Sequence, residues 1–150
     1  MPSLISHRSP GALVALLTSL SVLSGAHAQE PRAVSIVGLD YAFQAPDTLP
    51  AGPVIISFLN RGTVRHEVVL YMANAGSRLS DYVRATGPLE RQRLGRTIGL
   101  LAAEPGQPSL GQLVANLVEG STYVLLCNLQ NDVDQPSHSK LGMGKMLFVK

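Results

Sequence analysis

The chain has 150 residues, is 45% hydrophobic and 15% charged, and carries a formal net charge of +2. That is enough for one domain, too apolar for a disordered segment, and too nearly neutral for a face that reads a phosphate backbone. A single cysteine excludes an intramolecular disulfide, and no internal repeat points to a solenoid.

Residues Met1 to Ala28 have the three parts of a secretory signal peptide. His7 and Arg8 give a short basic start, and Gly11 to Leu23 is an apolar run. It is well short of the ~20 residues of a membrane span. Ala26-His27-Ala28 offers small residues at both positions that a signal peptidase reads, so cleavage is expected before Gln29. Residues 1–28 are thus expected to be the leader and residues 29–150 the exported domain, periplasmic or secreted. No stable membrane insertion is expected after cleavage.

In the mature chain, Ala33 to Leu39 alternates, with Val34 and Ile36 on one side. Pro53 to Leu59 and His66 to Met72 are apolar or β-branched runs of strand length, separated by the turn signal Asn60-Arg61-Gly62. Ser80 can cap a short helix that Gly87-Pro88 would end, and a second is expected over Leu89 to Leu94. Arg84, Arg91, Arg93 and Arg96 fall in this region, which reads as a solvated crossover between two sheets; a docking patch for an acidic partner is the alternative. Leu110 to Val118, Tyr123 to Leu129 and Lys145 to Val149 complete the strands. Short strands punctuated by Gly, Pro and Asn predict an all-β, Greek-key β-sandwich with a short helical crossover near 80–98.

Without the leader, the remaining histidines are His66 and His138, and the one thiol is Cys127. An exported protein holding an unpaired cysteine needs a reason to keep it. His66 opens a strand, Cys127 lies near the end of another, and Met143 follows His138 by five residues. A thiolate, two imidazoles and a thioether suit one mononuclear copper site, because thiolate and thioether favour Cu(I) and imidazole serves both oxidation states. Zinc would also accept Cys and two His, but a closed structural zinc site takes four such ligands. Met146 competes with Met143 for the weak axial position. Asp132 and Asp134 lack the Gly and distant Glu of a calcium loop.

These segments resemble the cupredoxins, the blue copper proteins. Asn60-x-Gly62-x-x-x-His66-Glu67 is similar to the strand that delivers their first histidine. Tyr123-Val124-Leu125-Leu126-Cys127 is similar to their cysteine strand, and His138-x-x-x-Gly142-Met143 to their closing segment. The resemblance implies His66, Cys127 and His138 as equatorial copper ligands and Met143 as the axial one. Two departures stand out. Ten residues, Asn128 to Ser137, separate Cys127 from His138 where plastocyanin- and azurin-like members use a few. Glu67 replaces the Asn that follows their first histidine, and its carboxylate is expected to tie the ligand strands by accepting a backbone N–H near Asn128.

The function implied is single-electron transfer between Cu(I) and Cu(II), with no substrate transformed and no enzyme activity. Partners would be redox proteins of the cytochrome or copper oxidase type, with no nucleic acid, and the chain would be a monomer. Electrons would pass through an exposed edge of His138, with Leu141 and Gly142 as docking surface. Two alternatives use the same sandwich: a periplasmic copper carrier or assembly factor that delivers copper to an oxidase, and a metal-free binding module.

Overall fold

The computed structural model describes residues 29–150; the expected leader, residues 1–28, lies outside them. Along the chain run β1 (Arg32–Leu39), β2 (Ala42–Gln44), β3 (Thr48–Leu49), β4 (Gly52–Asn60) and β5 (His66–Ala73). The helices α1 (Leu79–Arg84) and α2 (Pro88–Leu94) follow, then β6 (Gly95–Ala103), β7 (Leu113–Leu117), β8 (Thr122–Leu126) and β9 (Gly144–Val149). One sheet has the order β2-β1-β4-β7 and the other β3-β9-β8-β5-β6. No helix among the described residues is long and apolar enough to cross a membrane.

Strand chemistry explains how the layers stack. Along β4 every second residue is buried, Val54, Ile56, Phe58 and Asn60, because only one face of its sheet meets the core. In β5 and β8 the apolar runs are nearly continuous, because both faces are covered. Val68, Leu70, Tyr123, Leu125 and Cys127 face the core between the sheets. Val69, Tyr71, Val124 and Leu126 face the other way, onto Tyr82, Leu79 and Val83 of α1 and Leu94 of α2. The Asn60 turn forms as expected: Asn60 Oδ1 accepts the Gly62 N–H at 2.8 Å, while its Nδ2 donates to the carbonyls of Val64 and Ala103.

The sandwich and two short helices match the reading of the sequence, but α1 starts at Leu79 after Arg78, with Ser80 inside it rather than capping it. Gly95–Ala103 is strand β6 rather than crossover, and the helices do not cross between sheets. They connect β5 to β6, antiparallel neighbours in the same sheet. The reason is Tyr82, which is fully buried on the outer face of that sheet and donates to the Leu94 carbonyl at 2.9 Å. Nor are all four arginines solvated. Arg91 is buried and donates to the carbonyls of Tyr82 and Ala85 at 3.3 and 2.8 Å, satisfying orphan carbonyls at the end of α1.

Candidate metal centre

The site assembles at one end of the core between the sheets. His66 is the first residue of β5, delivered by the Asn60 turn. Cys127 directly follows β8, whose Leu126 is paired with Val69 of β5, so the thiol lies beside the start of the histidine strand. The long loop after Cys127 is closed at its base. His138 N–H donates to the Leu129 carbonyl and Ser139 N–H to the Cys127 carbonyl, both at 2.8 Å. Residues 130–137 are therefore an excursion whose ends are held together, with His138 tied back beside Cys127 and Leu129. A third bond, from Met143 N–H to the His138 carbonyl at 2.9 Å, and a fourth, from Cys127 N–H to the Met143 carbonyl at 3.1 Å, fold the closing segment back onto the cysteine.

Three of the four candidate ligands present their donor atoms to one another. His66 Nδ1 and His138 Nδ1 are 3.0 Å apart, and Cys127 Sγ lies 3.3 Å from His138 Nδ1 and 3.9 Å from His66 Nδ1. Those separations define a triangle whose centre is about 2 Å from each donor, the reach of a metal–imidazole or, slightly stretched, a metal–thiolate bond. All three residues are buried. Met143 is also fully buried, in the same core cluster as Cys127. Met146 packs among the residues beneath the helices, on the opposite face of the sheet.

Hydrogen bonds on the far side of each ring decide which nitrogen is free. Asp40 Oδ1 accepts from His66 Nε2 at 3.0 Å. Thr63 donates to the same carboxylate, which together with His66 holds its pKa down at about 2 against the cost of burial. An ionised carboxylate only accepts, so the His66 proton sits on Nε2. Asn131 Oδ1 accepts from His138 Nε2 at 2.8 Å, and Asn131 Nδ2 donates to the Tyr41 hydroxyl at 2.9 Å. Both Nδ1 atoms therefore carry lone pairs, facing each other at contact distance. Burial, and secondarily the neighbouring His66, lowers the pKa of His138, which keeps that ring unprotonated.

Two opposed lone pairs beside a sulfur are a poor arrangement for neutral groups and a good one around a cation. The thiol points the same way. Burial pushes the Cys127 pKa up to about 11, although the N–H groups of Glu67 and Leu129 offset part of this. A thiolate here needs a positive charge at bonding distance. The donor set, its spacing and its preset lone pairs fit a soft or borderline metal ion.

The structure corrects one expectation. His138 has no exposed edge: it is 1% exposed, and Asn131 and Tyr41 stand against it. The loop after Cys127 supplies Asn131 and the β1–β2 turn supplies Tyr41, so the ring is covered from two segments. Leu141 is 44% exposed, as a surface residue should be. The expected tie from Glu67 is present, with Oε1 accepting the Asn128 N–H at 3.1 Å. Asp40, Tyr41 and Asn131 were not legible as site residues, because an Asp, a Tyr or an Asn in a turn or polar loop reads as local turn chemistry.

No protein-family model matches the sequence, and no curated protein does. Solved structures match. Dithionite-reduced auracyanin from the photosynthetic bacterium Roseiflexus castenholzii is 19% identical with a TM-score of 0.53, over 81% of this chain and 99% of that one. Auracyanin A, a "blue" copper protein from the green thermophilic photosynthetic bacterium Chloroflexus aurantiacus, is 19% identical with a TM-score of 0.52, over 81% of this chain and all of that one. The chain has the cupredoxin fold. A third cupredoxin structure, auracyanin B, is 17% identical with a TM-score of 0.53, over 81% of this chain and 91% of that one. At these identities the cupredoxin likeness is one of architecture, and the chemistry of the site rests on its own atoms.

Proposed function

We propose that this protein binds one copper ion through His66, Cys127 and His138, with Met143 as the weak axial donor, and transfers single electrons. The observation that supports this reading is the convergence of three buried donors on one point about 2 Å from each. Copper is favoured over zinc by the softness of the set and by the number of Cys and His donors that converge among the described residues, three rather than four. The copper in auracyanin A, a protein of the same fold, agrees with that choice.

When bound, copper supplies a one-electron Cu(I)/Cu(II) couple. The protein contributes rigidity. Asp40 and Asn131 clamp the two imidazoles, and the Glu67 N–H and Cys127 backbone bonds hold the sulfur. Donors that are already in place move little when charge changes, which keeps electron exchange fast. The buried surroundings keep water off the sulfur. No substrate is transformed. The partners are redox proteins of the cytochrome or copper oxidase type, met in small and short-lived contacts. The domain beginning at Gln29 works as a monomer after export to the periplasm or beyond.

A copper carrier would use the same donors; the length of the Asn128–Ser137 loop favours it, whereas the seat of Asn131 on His138 favours retention of the ion. The two readings differ in rate: a carrier loses Cu(I) quickly to a competing chelator, whereas an electron-transfer protein keeps it and shows a reversible potential. The test of the main reading is addition of Cu(II) to the mature protein. An intense visible thiolate-to-copper band is expected, absent in Cys127→Ser while that variant stays folded. No band in the wild type would overturn the reading.

A further inference from the structure

Asp40 lies outside the donor set yet is bonded to it. Its Oδ1 is 3.0 Å from His66 Nε2, on the side of the ring away from the other donors. The carboxylate is itself fixed: Thr63 N–H reaches both oxygens, at 2.9 and 3.0 Å, and the Thr63 hydroxyl donates to Oδ2 at 2.7 Å. Thr63 belongs to the same turn that delivers His66, so one segment sets the ring and the carboxylate together.

Gly62 makes the contact possible. A Cβ at that position would lie 2.3 Å from Asp40 Oδ1 and 2.8 Å from His66 Nε2. The turn is thus shaped around this ion-dipole pair, with no room for a side chain. The Asp40 side chain is 33% exposed and the His66 side chain fully buried, so the charge acts on the ring from the edge of a low-dielectric pocket.

We propose that Asp40 is a positioning residue that presents the His66 Nδ1 lone pair to the bound copper and, through its negative charge, favours Cu(II) over Cu(I). This inference rests on the copper reading above. Two physical effects act in the same direction. A carboxylate that draws on the Nε2 proton makes the opposite nitrogen a stronger donor, which the more highly charged ion uses better. The direct Coulomb attraction also grows with the charge of the ion, so the oxidised state gains more than the reduced one. The result is a lower reduction potential than a neutral acceptor at the same place would give.

Substitution separates charge from position. Asp40→Asn keeps an oxygen able to accept from His66 Nε2 and removes the charge. The measurements are a redox titration of the copper-loaded protein and chelator competition for each oxidation state. Asp40→Asn should keep the visible band, shift the potential upward, and weaken Cu(II) binding about tenfold with a smaller change for Cu(I). Gly62→Ala, which displaces the carboxylate, should move the potential the same way. An unchanged potential in Asp40→Asn that still binds copper overturns the inference and leaves the copper reading standing.

Should the wild type bind no copper, the copper reading falls and with it the effect of charge on the potential. The positioning role is also read without metal, from the side-chain nitrogen resonances of His66. An Nε2–H tautomer in the wild type that is lost in Asp40→Ala supports it, and an Nδ1–H tautomer in the wild type overturns it.

Discussion

The Glu67 N–H points at Cys127 Sγ from 3.4 Å, while the Glu67 carboxylate accepts the N–H of the next residue, Asn128, at 3.1 Å. One residue of the histidine strand therefore holds the cysteine segment at two places. Glu67→Ala removes the side-chain bond and leaves the Asn128 N–H without its partner. A loss of about 1–3 kcal/mol in urea unfolding of the metal-free protein is expected, with Glu67→Gln recovering most of it. Equal stability in Glu67→Ala would show that the tie contributes nothing.

Met143 Cε would lie 3.3 Å from a Cβ placed on Gly38, and two Phe58 ring carbons would lie at 2.9 Å. Gly38→Ala should thus crowd the methionine and the ring, at a cost of about 1–3 kcal/mol. Met143→Leu tests the axial role directly: copper should be retained and the potential should rise, because losing the weak thioether donor disfavours Cu(II). An unaltered potential and spectrum in Met143→Leu would assign the sulfur to packing alone.

Asn131 is the cover over His138, bonded to the ring on one side and to Tyr41 on the other. Asn131→Ala should leave the visible band in place and speed transfer of Cu(I) to an external chelator. Stopped-flow absorbance with a coloured Cu(I) chelator would measure it. A rate equal to that of the wild type would mean that the loop does not guard the ion.

Tyr82 carries the helical insert. It is fully buried, and burial, with Tyr71 adding to it, pushes its pKa up to about 12. The neutral phenol is the form the fold prefers, so its contribution is whole below a pH of about 10, the unfolded value, and is lost as pH rises through about 12. Tyr82→Phe should cost about 1 kcal/mol at neutral pH through loss of the bond to Leu94. Urea unfolding at pH 9 and pH 11 should show a smaller decline for Tyr82→Phe than for the wild type.

The ligand residues were readable because their chemistry is scarce: residues 29–150 have two histidines and one cysteine, with His66 and Cys127 in or beside apolar runs. The direction of Cys127 followed from strand alternation with Tyr123 and Leu125, and that of His66 from Val68 and Leu70. The break between the helices was legible from Gly87-Pro88, but the start of α1, expected at a Ser80 cap and found after Arg78, and the destination of the pair were not. A connection within one sheet and a crossover between two are equally compatible with such a segment. The outer face of β5 and β8, where Tyr82 inserts, exists only after those strands pair.

The amino-acid order alone determined six of the nine described strands, the turn at Asn60 and the donor chemistry, because these depend on side-chain periodicity and residue type over a few neighbouring positions; β2, β3 and β6 were not among them. The tertiary structure decided the rest. Asp40 meets His66 across 26 residues, and Tyr41 meets Asn131 across 90. Contacts so far apart in sequence form only when the sheets stack, and they set which nitrogen of each ring is free and how deeply His138 is covered.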